Sequence, residues 1–274
     1  MKKISRRSFL AAAAVSAAAL ALTACGGASS SAASSVASSA AASSSASGSL
    51  ATVVAGKLTM ATNATFPPYE MTTDSGDIAG IDIDTAKAIA EKLGLELQVD
   101  DMEFDAALLS VQQGKADMVM AGVTVTDERK AVMDFSDSYA TGIQSIIVPE
   151  GSDITSPDDL AGKKIGTQRG TTGYIYCSDD FGDDAVVAYD DGLTAVQALK
   201  NGQVDAVVID NAPAKEYVAA NPGLVILDTS YAEEDYAIGM AKGSALEDAV
   251  NAALEELKAD GTLQSIVDKY ITAE

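Results

Sequence analysis

An arginine beside a glycine- and threonine-containing turn is the first residue whose type and setting suggest specific chemistry. Arg129 follows Gly122 and Thr124 on a turn that enters a predicted helix, where free backbone N–H groups and the helix dipole favour an anion. Its guanidinium matches a carboxylate with two parallel hydrogen bonds and stays charged when desolvated. A surface arginine in the charged stretch 126–130 is the alternative interpretation.

A carboxylate at the end of an apolar segment could supply the opposite charge. Asp210 follows the predicted strand 204–209, and ligands of open α/β sheets bind at the carboxyl ends of strands. Asp210 also stands where it could cap a helix over 212–220, which is a common use of aspartate. A cationic and an anionic group, both sheltered from water, would together hold a zwitterion such as an amino acid.

The composition disfavours catalysis and metal binding. The chain has no histidine, which removes Ser-His-Asp and Cys-His catalysis and the usual zinc sites. Carboxylates, lysines and tyrosines remain, so an enzyme is not excluded. Four acids could bind calcium weakly, but they lack the spacing of a known loop and fit a solvated turn better: Asp179, Asp180, Asp183 and Asp184. We predict no metal and no cofactor.

The net charge also restricts the partners. It is -22 at pH 7, with 40 acidic and 18 basic residues. Phosphate binding needs clustered lysine and arginine, so this balance argues against nucleic acid and anionic lipid as partners.

Residues 1–24 have the pattern of an export signal. A basic start leads into an Ala/Leu-rich run that is too short for a transmembrane helix. Residues 22–25, Leu-Thr-Ala-Cys, resemble a bacterial lipobox, which implies cleavage before Cys25 and lipidation of Cys25. The alternative is a plain signal peptide with an incidental cysteine. Residues 5–10 also resemble a twin-arginine signal, so the export route stays open.

The segment 25–55 is almost entirely serine, alanine and glycine beyond its first residue. Such a composition cannot build a packed core and predicts a flexible tether between a lipid anchor and a folded domain. With Cys25 lipidated, Cys177 has no partner within the chain for a disulfide, and we expect a buried thiol.

From Lys57 onward, short apolar strands alternate with amphipathic helical stretches. Residues 84–93 place apolar side chains at helical spacing and end at Gly94, a typical C-cap. The alternation restarts after residue 150, where Ser156-Pro157 predicts the start of a helix. This rhythm predicts an α/β fold of two units with mainly parallel sheets, followed by two C-terminal helices.

A series of short motifs, in this order, resembles the polar-amino-acid-binding proteins of ABC importers (bacterial extracellular solute-binding proteins, family 3). The motifs are Phe66–Glu70, Gly80–Asp84, Ala121–Arg129, Met133–Ser136, Gly170–Gly173, Val204–Asp210 and Gly261–Tyr270. They cover essentially the whole folded part, residues 57–272. Each motif is weak alone, and their order and spacing carry the resemblance.

The resemblance implies a two-lobed clamshell of the periplasmic-binding-protein type (type II), each lobe a mainly parallel sheet flanked by helices. Residues 56–143 and 236–274 would form lobe 1, and residues 148–231 would form lobe 2. Hinge strands would lie near 144–148 and 232–236. The implied protein is a monomer outside the cytoplasm, anchored to the cell membrane by Cys25, that hands a free amino acid to the permease subunits of an ABC importer.

The resemblance also assigns roles to individual residues. Arg129 and the backbone of Thr124 would bind the α-carboxylate of the ligand, and Thr172 would close on it from lobe 2. Asp210 would bind the α-ammonium group, with help from the carbonyl of Gly122. Lobe 1 would bind first, and contacts from lobe 2 would then stabilise the closed form.

The ligand side chain would lie between Phe66 and Phe104, for which core packing is the alternative. Several relatives that bind basic or amide side chains have aspartate at the position of Asn63. A neutral Asn63 favours a neutral polar ligand such as glutamine. Asp101 and Glu103 lie close to Phe104 in the sequence and could restore a cation site, or they could be solvated surface acids.

The rival hypothesis is an enzyme on the same scaffold, similar to a cyclic-acid dehydratase. Its acid would be Glu70, Asp101 or Glu103. The pair of Arg129 and Asp210 argues against it, because a cyclic acid has no ammonium group for Asp210 to bind. The sequence therefore favours a binding protein without catalysis.

Overall fold

The computed structural model describes residues 50–271. The predicted export signal 1–24, Cys25 and the tether up to residue 49 lie outside the described residues, as do residues 272–274. None of the helices between residues 50 and 271 combines the length and the apolar character of a membrane-spanning segment.

The strands of the described part are β1 (Lys57–Thr62), β2 (Thr65–Phe66), β3 (Glu70–Thr72), β4 (Ile78–Ala79), β5 (Glu96–Asp101), β6 (Met118–Val119), β7 (Met133–Phe135), β8 (Ala140–Pro149), β9 (Ile165–Gln168), β10 (Val186–Tyr189), β11 (Ala206–Asp210), β12 (Leu224–Ile226), β13 (Ala232–Tyr236) and β14 (Gly239–Ala241). The α-helices are α1 (Ile81–Leu93), α2 (Phe104–Gln112), α3 (Asp127–Val132), α4 (Thr172–Phe181), α5 (Gly192–Lys200), α6 (Asn211–Ala220), α7 (Glu247–Ala259) and α8 (Thr262–Tyr270).

The first lobe is built on a sheet with the strand order β5-β1-β6-β14-β7. Strand β1 is parallel to β5 and β6, whereas β14 is antiparallel to β6 and β7. Alternate residues of β1 face opposite sides. Leu58 and Met60 pack with Ile89 of α1, and Ala61 packs with Phe104 of α2. Helices α7 and α8 pack on α1, so the C-terminal helices belong to this lobe.

The second lobe is built on a sheet with the strand order β10-β9-β11-β8-β12. Strands β9, β10 and β11 are parallel, and β8 runs antiparallel to β11, β12 and β13. Helix α4 covers one face, where Cys177 is buried beside Ile165 and Val208. Helix α5 covers the other face through Ala195 and Leu199.

Two strands carry the chain between the lobes. The chain enters the second sheet along β8 and returns along β13 to β14 in the first sheet. The first half of β8 pairs with β13, and its second half pairs with β11 and β12. A bridge between Thr124 and Tyr236 joins β13 to the first lobe as well. Strand β13 therefore contacts groups from both lobes.

The prediction of a two-lobed α/β fold is confirmed, with differences in detail. Parallel strands form one side of each sheet, and the antiparallel strands β7, β8, β12, β13 and β14 complete the sheets. The small antiparallel sheet β2-β3-β4 was not predicted, because its strands have only two or three residues. The helix start predicted at Ser156 is a single 3₁₀ turn over Pro157–Leu160, since Ala161 leaves helical geometry with a ψ of 122°.

Candidate ligand-binding site

One cavity lies between the lobes, and all eight residues that the sequence singled out as ligand-binding lie on its wall. From the first lobe these are Asn63, Phe66, Phe104, Gly122, Thr124 and Arg129, and from the second lobe Thr172 and Asp210. The same wall contains Glu70, Ala121, Gln168 and Thr171, which the sequence analysis did not assign to it. Folding thus brings together segments that are far apart in the chain.

Arg129 is the cationic group of this cavity. It lies on α3, whose N-cap Thr126 accepts a hydrogen bond from the amide of Arg129. The side chain is 8 % exposed and donates to the carbonyl oxygens of Thr124 (2.8 Å) and Gly170 (3.1 Å), one in each lobe. Its guanidinium stands 5.4 Å from the ring centre of Phe104. Burial lowers the pKa of Arg129, but an arginine remains a cation after such a shift.

The turn before α3 offers an amide and a hydroxyl from Thr124. The two hydrogen bonds of the bridge to β13 are formed by Val123 and Val125, so the amide of Thr124 points away from β13.

The amide of Gly122 was expected to be free, and this expectation is wrong. It donates to Asp82 at 3.1 Å, because a buried carboxylate there needs a donor.

Gly122 is required for the position of Phe66. Its φ is 54°, in the left-handed region, and a Cβ atom at this position would lie 2.8 Å from the ring of Phe66. Phe66 is 7 % exposed and stacks on Tyr69 with 5.9 Å between ring centres. Phe66 therefore packs in the core and also lines the cavity.

Asp210 is the anionic group that the second lobe contributes. It precedes α6, but its side chain makes no capping hydrogen bond, so the capping alternative is wrong. The carboxylate instead accepts from Gln144 Nε2 (2.8 Å) and from the hydroxyl of Tyr236. Burial raises the pKa of Asp210 to about 7, and Glu234 adds to the effect, while the hydrogen bonds from Tyr236 and Gln144 oppose it.

Asn63 is held by three hydrogen bonds. Its Nδ2 donates to the carbonyl of Met102 (2.9 Å), and its Oδ1 accepts from Thr65 (2.9 Å) and from Gln168 Nε2 (2.8 Å). Gln168 belongs to the second lobe, so this contact also joins the lobes. An aspartate here would have no donor for Met102, which gives a local reason for a neutral amide.

A pair of buried carboxyl groups adjoins the cavity and was missed as part of the site. Glu70 and Asp82 are both fully buried, and no donor within residues 50–271 reaches either oxygen of Glu70. Asp82 accepts from Gly122 and from the hydroxyl of Tyr139. Burial, with Asp82 adjacent, raises the pKa of Glu70 well above its ordinary value, and burial raises that of Asp82 to about 6. The surroundings of Glu70 therefore favour its protonated form.

We expect Glu70→Gln to flatten the pH dependence of stability. A folded-state pKa above the unfolded one gives stability that is fully present below the unfolded pKa, near 4.5, and is lost as pH rises toward the folded pKa. Each pH unit in that window costs roughly 1.4 kcal/mol for one such group. Urea unfolding of the ligand-free protein at pH 5 and pH 8 should show a smaller loss of stability in Glu70→Gln than in the native protein.

The matched control is Glu91→Gln, at an exposed glutamate of α1. It should keep the native pH dependence. An identical loss between pH 5 and pH 8 in all three proteins would show that Glu70 is ionised in the folded state.

Four acids lie at the rim of the cavity beside Phe104. Glu103 is exposed, and its pKa is raised by partial desolvation and by Asp190, Asp191 and Asp101. Asp101 accepts a hydrogen bond from the amide of Ala64 at 2.8 Å. Asp101 and Glu103 come from the first lobe and Asp190 and Asp191 from the second, so negative charge lines both sides of this rim.

The cysteine and the acidic turn have local explanations. Cys177 is buried, and burial raises its pKa to about 12. The four acids predicted in a solvated turn are divided between two elements: Asp179 and Asp180 lie in the last turn of α4, where Asp180 accepts from the hydroxyl of Tyr231 at 2.6 Å, and Asp183 and Asp184 begin a short 3₁₀ turn. Within residues 50–271, no three cysteine or carboxylate side chains are grouped so that they could hold a metal ion.

Comparison with known proteins decides the family. Residues 58–273 match the model of bacterial extracellular solute-binding proteins, family 3. The chain belongs to this family. The predicted resemblance to the polar-amino-acid-binding proteins of ABC importers is thereby confirmed. The relatives of this solute-binding protein are binding proteins, so the enzyme alternative is not supported.

Three similar proteins illustrate the relationship. The arginine-binding extracellular protein ArtP of Bacillus subtilis (strain 168) is 34 % identical over 230 residues, which cover 80 % of this solute-binding protein and 87 % of ArtP. An ancestral arginine-binding protein bound to glutamine is 43 % identical with a TM-score of 0.76, covering 80 % of this chain and all of the other. The ancestral arginine-binding protein bound to arginine is 44 % identical with a TM-score of 0.75, covering 79 % and 98 %.

Proposed function

We propose that this solute-binding protein captures a free polar L-amino acid between its lobes and delivers it to the permease subunits of an ABC importer. One observation carries the proposal. Arg129 and Asp210, a buried cation and a buried acid, lie on one cavity wall but come from different lobes. A zwitterion satisfies both at once, and it gains the second contact only when the lobes are close.

The α-carboxylate is assigned to Arg129, to the amide of Thr124 and, from the second lobe, to Thr172. Arg129 now donates to two backbone carbonyls, and a carboxylate is a stronger acceptor than either. The α-ammonium group is assigned to Asp210 and the carbonyl of Gly122. A micromolar dissociation constant needs about 8 kcal/mol, which paired charges and a buried side chain can supply.

The side chain of the ligand would lie against Phe66 and Phe104, beside the amide of Asn63. A neutral ligand such as glutamine fits this wall, because Asn63 brings no charge to it. Arginine is the second candidate, and the acids at the rim favour it, since Glu103 and its neighbours would be stabilised by a cation. The ancestral structures show that a related site holds either amino acid.

The remaining features describe where the protein works. We propose that Cys25 carries the lipid anchor, that the tether predicted over 25–55 lets the lobes reorient near the membrane, and that the protein is a monomer outside the cytoplasm. The last residues of this segment contact the first lobe, where the amide of Val53 donates to Asp117 at 2.7 Å, so the tether would act before them. Lobe 1 would comprise 56–143 and 236–274, and lobe 2 would comprise 148–231. The segments 144–148 and 232–236 lie in β8 and β13, where a change in backbone angles would open the cavity.

A thermal-shift screen against the twenty amino acids tests the proposal, with the chain lacking residues 1–25. Ligand binding to the native state raises the melting temperature by mass action. We expect a response to one or a few polar amino acids. A well-folded protein that responds to none of the twenty would refute amino-acid capture.

A substitution at Asn63 separates the two ligand candidates. Asn63→Asp adds a carboxylate to the wall and should improve the affinity for arginine relative to glutamine by about 10-fold. Isothermal titration with both amino acids gives the ratio. Asn201→Asp, at an exposed position after α5, is the control. An unchanged ratio in Asn63→Asp would show that the ligand side chain does not reach this wall.

A further inference from the structure

Glu234 is a buried carboxylate that stands behind the cavity wall and joins both lobes. It lies on β13, is 6 % exposed, and its Oε2 accepts three hydrogen bonds of 3.0 Å each. The donors are the hydroxyl of Thr124, the hydroxyl of Thr172 and Nε2 of Gln144. A single oxygen thus accepts one hydrogen bond from each lobe and one from the neighbouring strand β8.

The backbone explains why these donors meet. Glu234 pairs with Gly142 in the register of β13 and β8, which places Gln144 two residues along on the same face. The hydroxyl of Thr172 extends from the first residue of α4 in the second lobe. Thr124 reaches β13 through its bridge to Tyr236. When the lobes separate, at least one threonine must leave the carboxylate.

Glu234 also acts on the buried cation of the cavity. It raises the pKa of Arg129 against the effect of burial, so a carboxylate at this position stabilises the guanidinium. Hydrogen bonds to an ionised acceptor are about twice as strong as those between neutral groups. The neighbours Glu233 and Asp235 are exposed, so the contact with both threonines belongs to Glu234 among these three consecutive acids.

We propose that Glu234 is a positioning residue that fastens the hydroxyls of Thr124 and Thr172 to each other in the closed state and so sets the lifetime of that state. The effect of Glu234 on ligand release rests on the proposed function, whereas its effect on the distance between the lobes is independent of that function. Two separate measurements can therefore test it.

The first measurement is the rate of ligand release, with the amino acid found in the thermal-shift screen. Glu234→Gln keeps the size of the side chain, removes the charge and brings an amide donor to a point where three donors converge. We expect the dissociation rate in stopped-flow experiments to rise about 10-fold with little change in the association rate. Glu233→Gln makes the same change of charge on the exposed face of β13 and should behave as the native protein.

A double-mutant cycle tests the partner. Thr172→Val removes the hydroxyl and should speed release as well. In the Glu234→Gln background, Thr172→Val should add little. Fully additive effects, or equal dissociation rates in Glu234→Gln and Glu233→Gln, would overturn the proposal, and Thr172→Val alone remains informative if Glu234→Gln does not fold.

The second measurement is the distance between the lobes without ligand. Spin labels at Lys115→Cys and Asp184→Cys report on the two lobes, since both positions are exposed and Cys177 is buried. Glu234→Gln should shift the distance distribution toward wider separations, and Glu233→Gln should not. An unchanged distribution in Glu234→Gln would overturn the proposal. If no amino acid binds the native protein, the proposed function fails while this measurement still decides the role of Glu234.

Discussion

Arg129→Ala is expected to weaken binding of the captured amino acid by at least about 100-fold, or ~3 kcal/mol. The substitution removes the cation from a cavity wall whose other ionisable residues, within the described part of the chain, are the acids Glu70 and Asp210. The ligand carboxylate would then be buried beside the amide of Thr124 but without a charge partner. Arg129 also fills the space over Phe104, so part of the loss comes from packing.

Isothermal titration on three proteins checks this expectation. Arg129→Lys keeps the charge but cannot form two parallel hydrogen bonds, so its affinity should lie between those of the native protein and Arg129→Ala. Arg169→Ala is the control, because Arg169 is an exposed arginine of the second lobe. Native-like affinity in Arg129→Ala would mean that the ligand carboxylate is bound elsewhere.

Lowering the pH from 8 to 5 is expected to weaken binding by about 100-fold. In the ligand-free protein the pKa of Asp210 is raised to about 7, and the ammonium group of the ligand pairs with the ionised form. Below pH 7, binding must therefore release a proton, and the affinity falls about tenfold for each pH unit. The ligand's own ammonium and carboxylate groups do not titrate between these pH values.

Several groups face Asp210 and could share this titration. Tyr236 and Glu234 lie on β13. Glu70, the first residue of β3, comes from the first lobe, and burial raises the pKa of its neighbour Asp82 to about 6. Asp210→Asn isolates the contribution of Asp210. It should lower the affinity at pH 8 by about 100-fold and leave a much shallower pH dependence. Asp228→Asn, at an exposed position, is the control. A native pH profile in Asp210→Asn would assign the titration to Asp82 and Glu70.

Much of the site could be predicted from the sequence, because the chemistry of its main residues depends on residue type and local pattern. Arginine after a turn that enters a helix and aspartate at the carboxyl end of an apolar strand are favourable positions for ligand-binding charges in α/β proteins, and both line the cavity. Phe66 and Phe104 were identified through the family resemblance. The helices were predicted from periodicity and from glycines at their ends, such as Gly94, which takes the left-handed conformation after α1.

Other features were decided by contacts between distant segments. Whether Asp210 caps α6 or faces the cavity depends on Gln144 and Tyr236, which reach it from β8 and β13. The amide of Gly122 is occupied because α1 places Asp82 beneath it. Glu70 stands in a recognised motif, but its burial without a donor follows from how β3 packs against α1, and no local pattern reports that.

The segment 232–236 shows most clearly which features depend on the sequence and which depend on the tertiary structure. The sequence Ala-Glu-Glu-Asp-Tyr contains three consecutive acids, and the hinge strand predicted here came from the family resemblance rather than from this composition. In the structure it is a strand, so its side chains alternate, and Glu234 and Tyr236 point inward while Glu233 and Asp235 face solvent. The sequence by itself determined which charges and hydroxyls exist along the chain. The tertiary structure decided which of them lose contact with water, because burial depends on pairing with β8 and on the approach of both lobes.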